Sequence, residues 1–92
     1  MKMHFIFHEY CNGMSGGINH FEAKLIEGTE EDKEKVLQNM VEVGLVPAPM
    51  RITFRPADLQ KLRGIVSTET TMGQSPLCSR DIEWTVAITF KV

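Results

Sequence analysis

A chain of 92 residues has room for one hydrophobic core, burying roughly 60–65% of the surface it exposes when unfolded. A composition of 42% hydrophobic and 24% charged residues excludes an intrinsically disordered chain, and no stretch nears the ~20 apolar residues that span a bilayer. The net charge is −2, and the Lys and Arg residues are too scattered for the dense cationic footprint of a duplex-DNA binder.

Two cysteines, Cys11 and Cys78, are too few for a disulfide framework, and their spacing matches no zinc motif. The first ten residues lack the apolar run of a secretory signal. The expectation is a cytoplasmic domain with reduced thiols and no membrane partner. A Cys11–Cys78 bridge stays open.

Residues 3–10 alternate, with Met3, Phe5 and Phe7 opposite His4, Ile6 and His8. Residues 18–27 do the same, with Phe21, Ala23 and Leu25 opposite His20, Glu22 and Lys24. Period-two alternation marks a half-buried strand. The turn-rich stretch 11–17 between them predicts a hairpin. Centring that turn on Met14 pairs Phe7 with Phe21, Phe5 with Ala23, Met3 with Leu25 and His8 with His20. Both apolar sets then share one face, as burial requires. Because its glycines lead into a strand, the turn is no phosphate cradle, which would open a helix.

Thr29 is a good N-cap for a helix over 29–43, with Glu30, Glu31 and Asp32 at the end where the helix dipole favours acid. Val36, Leu37, Met40, Val41 and Val43 make its apolar stripe, and Glu31 can pair with Lys35 one turn on. Gly44 is the expected stop, with Pro47 and Pro49 beyond it. Alternation over 50–55 predicts a strand with Met50, Ile52 and Phe54 inward. A short helical segment follows from Pro56 to Gly64, docked by Leu59 and Leu62. The β-branched run 65–71 predicts another strand, and 72–81 a loop. Ile82, Trp84, Val86, Ile88, Phe90 and Val92 alternate against Glu83, Thr85, Ala87, Thr89 and Lys91, which is the strongest strand pattern in the chain.

The predicted fold is a single α+β domain over 1–92. It is a mostly antiparallel sheet of four to five strands with one main amphipathic helix packed on one face, in the order ββαβ(α)ββ. The core is expected to hold Phe5, Phe7, Phe21, Leu25, Val36, Leu37, Met40, Ile52, Phe54, Trp84, Val86, Ile88 and Phe90.

No catalytic residue is identified, and no cofactor is implied. Ser15 and Cys78 have no base beside them in sequence. Three functional readings follow. The first is a small binding protein that acts through protein–protein contact, as a homodimer joined at a sheet edge. The second is a ligand or metal site, catalytic or not, at the hairpin end around His8, Cys11 and His20. Opposed strand residues have Cβ atoms about 5 Å apart, near enough to share an ion, whereas His4 lies roughly 13 Å from His8 along the strand. The plain alternative there is two solvent-facing histidines. The third is weak nucleic-acid binding through Arg51 and Arg55 on one strand face, set against an ordinary solvated face because the aromatics point the other way.

Overall fold

The computed structural model describes residues 1–11, 16–47, 52–76, 78 and 80–91. Strands β1 (Lys2–Cys11) and β2 (Gly16–Glu27) form the predicted antiparallel hairpin. Its register from Met3↔Leu25 to His8↔His20 is the one that the alternation demands. Beyond His8 the register shifts, so that Glu9 meets Ile18 and Asn19 becomes the extra residue. The shift has a clear cause. It turns Ile18, 8% exposed, to the Phe side and leaves Asn19 in solvent.

Helix α1 (Glu30–Glu42) starts where Thr29 Oγ1 accepts from the Asp32 N–H at 3.1 Å. It ends in a Schellman arrangement. Gly44 takes φ 83°, its N–H donates to the Val41 carbonyl at 3.1 Å, and the Leu45 N–H reaches the Met40 carbonyl at 2.8 Å. Leu45 and Met40 are both buried, which supplies the apolar contact of that motif. The helix buries Val36, Asn39 and Met40, while Val41 is 64% exposed, so its inner stripe is narrower than the sequence suggests. Lys35 makes no ion pair among the described residues, so the expected Glu31–Lys35 pair does not form.

Strands β3 (Ile65–Gln74) and β4 (Ile82–Phe90) complete an antiparallel sheet ordered β2-β1-β4-β3. The strand expected over 50–55 is a correction. Met50 and Arg51 lie outside the described residues, and Ile52 makes only an isolated bridge with Ile18. Arg55 already belongs to the cap of a 3-10 helix (Pro56–Lys61), where Asp58 Oδ2 accepts from the Arg55 N–H at 2.8 Å. The observed order is therefore ββαββ, with the 3-10 helix in the crossover. Phe54 is buried all the same, because an extended chain alternates wherever one side faces a core, with or without a ladder partner.

One core results. Met3, Phe5, Phe7, Ile18, Val86, Ile88 and Phe90 from the sheet meet Val36, Met40, Leu45, Phe54, Leu59 and Leu62. Phe21, half-buried, is the hub of the rings, with centroids 5.0 Å from Phe7, 5.1 Å from Phe54 and 6.2 Å from Phe5. The opposite sheet face carries His4, Ile6, Thr85 and Ala87 half-buried and Glu22, Lys24, Glu69 and Thr71 exposed. No helix among the described residues is long and apolar enough to cross a membrane.

Candidate functional site

The hairpin brings His8 and His20 together as the register requires, with ring centroids 5.2 Å apart. The two are not equivalent. His20 is exposed, but His8 is only 8% exposed, against the expectation of two solvent-facing rings. Two residues that sequence spacing did not single out explain this. Glu83 sits beside His8 on β4, its Oε2 3.1 Å from Nε2, and Ser75 Oγ lies 3.4 Å from Nδ1. A carboxylate can only accept, so Nε2 carries the proton and, in the neutral ring, Nδ1 accepts from the serine hydroxyl. Cys11 closes β1 opposite Gly16, and its side chain lies outside the described residues. Cys78 is an exposed free thiol. Among the described residues, no group of three or more His, Cys, Asp and Glu side chains is placed to hold a metal ion.

A serine, a histidine and a carboxylate in a row resemble a nucleophilic triad. Ser75 is only 5% exposed, however, so its hydroxyl is out of a substrate's reach. The trio instead links β1, β4 and the residue that follows β3.

On the helix side, the alternation Met3, Phe5, Phe7 continues to Glu9, a carboxylate at a core-facing position that is 9% exposed. Both of its oxygens are engaged. Oε1 accepts from Trp84 Nε1 at 3.3 Å, and Oε2 pairs with the Arg55 guanidinium. Glu9 thereby fixes two groups that line a cavity of about 410 Å³ with Pro56, Ala57, Gln60, Thr70 and Val86. Arg55 is thus an internal partner of Glu9 rather than a free cation. Arg51, the other half of the proposed phosphate-tracking face, lies outside the described residues.

The two sheet edges differ sharply. β2 carries Glu22, Lys24 and Glu27, and its ladder with β1 breaks register twice. Charges and bulges of this kind discourage a further strand from pairing. β3 has one charged residue in ten, Glu69, and is exposed at every position after Ile65. Its ladder is irregular only at Val66 and runs regularly from Ser67 to Gln74. Val66 and Met72 are 64% and 61% exposed. Sequence reasoning placed a strand here but not its edge position, because strand order depends on which distant partners pair.

No family model, curated protein or solved structure matches the chain.

Proposed function

We propose that the chain is a small binding protein that acts through protein–protein contact, and that a second copy pairs with it along β3. The observation that carries this reading is the contrast between the guarded β2 edge and the unguarded β3 edge. An edge strand offers a row of unpaired N–H and C=O groups, and a two-fold axis normal to the sheet makes an antiparallel edge complementary to itself.

Charge excludes one central register, and we take the adjacent one at the strand centre. Opposed residues must lie on the same face, so a residue near the strand centre faces its own copy. Glu69 opposite Glu69 is repulsive. Thr70 opposite Thr70 instead sets Glu69 beside Thr71 and Thr68 beside Met72. The regular part, Ser67–Gln74, is about 27 Å long at strand spacing. Such a strip covers a few hundred Å² per chain, below the ~800 Å² per partner of a standard interface, so the dimer belongs to the weak, reversible class.

The test is sedimentation equilibrium from about 1 μM to 1 mM, a range that spans weak affinities. Mass should rise from monomer to dimer across it. Thr70→Lys sets like charges face to face at an exposed site and should keep the chain monomeric. A wild-type chain that stays monomeric at 1 mM overturns the dimer, as does a Thr70→Lys chain that dimerises equally well.

A further inference from the structure

A second cavity, of about 280 Å³, opens between α1, the turn at Gly64 and the end of β4. Its walls are asymmetric in charge. Its lining includes three basic residues, Lys35, Arg63 and Lys91, and one acidic residue, Asp32. Arg63 is held by Glu42 at 2.9 Å, but Lys35 and Lys91 make no ion pair among the described residues. Val36 and Phe90, both buried, give the cavity an apolar floor.

Asn39 supplies the decisive detail. It is 6% exposed, and its Oδ1 accepts from the Arg63 N–H at 2.8 Å. A backbone N–H can only donate, so the amide orientation is fixed and Nδ2 is the remaining group. Nδ2 has no acceptor among the described residues. Yet no fully buried side-chain nitrogen or oxygen among them lacks a partner, so Nδ2 keeps contact with solvent. Asn39 lines this cavity. The backbone thus fixes the Asn39 amide at the cavity wall, with its donor turned to solvent, beside Lys35 and Lys91, which have no ion-pair partner among the described residues.

We propose that this cavity binds a small organic anion, with an oxyanion head on Asn39 Nδ2, Lys35 and Lys91 and a compact apolar body on Val36 and Phe90. Its volume lies at the lower end of ligand sites, which limits the body to roughly one ring. Charge-assisted N–H···O⁻ bonds supply the recognition. The site is independent of pairing along β3.

The test is an NMR titration of the full-length chain with phenyl phosphate and, separately, with inorganic phosphate. Phenyl phosphate should shift the Asn39 side-chain NH₂ and the Gly64 amide saturably. Asn39→Asp keeps the acceptor for the Arg63 N–H while replacing the donor with a negative oxygen. It and Lys35→Glu should each weaken binding by roughly tenfold or more, as expected when a donor or charge is inverted. Lys24→Glu, at an exposed site on β2, should change little. Should Asn39→Asp fail to fold, Lys35→Glu still decides, since Lys35 is exposed. No shift of the Asn39 NH₂ at about 10 mM phenyl phosphate, a concentration far above any specific affinity, overturns the site. Equal weakening by Lys24→Glu does the same. Inorganic phosphate binding as tightly as phenyl phosphate overturns the role of the apolar floor.

Discussion

A carboxylate at a core-facing strand position is costly unless its oxygens find donors, and Glu9 finds two. Glu9→Ala leaves the Trp84 N–H and the Arg55 guanidinium without their acceptor. Arg55 is 59% exposed at its side chain and can be rehydrated, so the loss is discounted to about 1–2 kcal/mol in urea unfolding. Trp84 emission should shift as well, because its Nε1 is the reporter. A variant with wild-type stability and emission would show that the Glu9 contacts contribute nothing. His8→Ala removes a buried ring that Ser75 and Glu83 both contact and should cost about 1–3 kcal/mol, with faster amide exchange at Gln74 and Ser75. Glu9 is not among the residues singled out from the sequence, although the alternation that places Phe7 inward extends to it. Ser75 has no such pattern around it. It belongs to the region after β3, where no periodicity says which way a side chain turns.

At the scale of elements, the readable parts are those whose causes are local. Thr29 and Gly44 bracket α1 because capping chemistry is set by a few adjacent residues. Thr29→Ala should therefore cost about 1 kcal/mol, and Gly44→Ala about 1–2 kcal/mol for a side chain at φ 83°. Thermal or urea melts measure both. A Gly44→Ala chain as stable as wild type would mean that the helix end relaxes out of the left-handed conformation. The hairpin register was readable for a related reason, since two apolar sets must share a face. The strand expected over 50–55 failed because alternation reports a buried side and not a ladder. Ile52 and Phe54 turn inward while the sheet is completed by other strands.

Across the whole molecule, the first and last strands are neighbours at the centre of the sheet, and among the described residues β3 pairs with no strand but β4. Nothing local in the sequence encodes that order, and with it goes the identity of the exposed edge. The order has a thermodynamic consequence for the proposed dimer. A ten-residue strand exposed beyond Ile65 gains little from its own chain except the β4 ladder, so a second copy that pairs with it stabilises the folded state by mass action. Above the dissociation constant, each tenfold rise in protein concentration should add about 1.4 kcal/mol to the free energy of unfolding per dimer. The urea midpoint of the wild-type chain should then climb from about 10 μM to 1 mM, and that of Thr70→Lys should stay flat. At low concentration the two should agree within about 0.5 kcal/mol, since Thr70 is exposed and its substitution leaves the core untouched. A wild-type midpoint that ignores concentration would mean that β3 is stable as a lone edge, held by the β4 ladder alone.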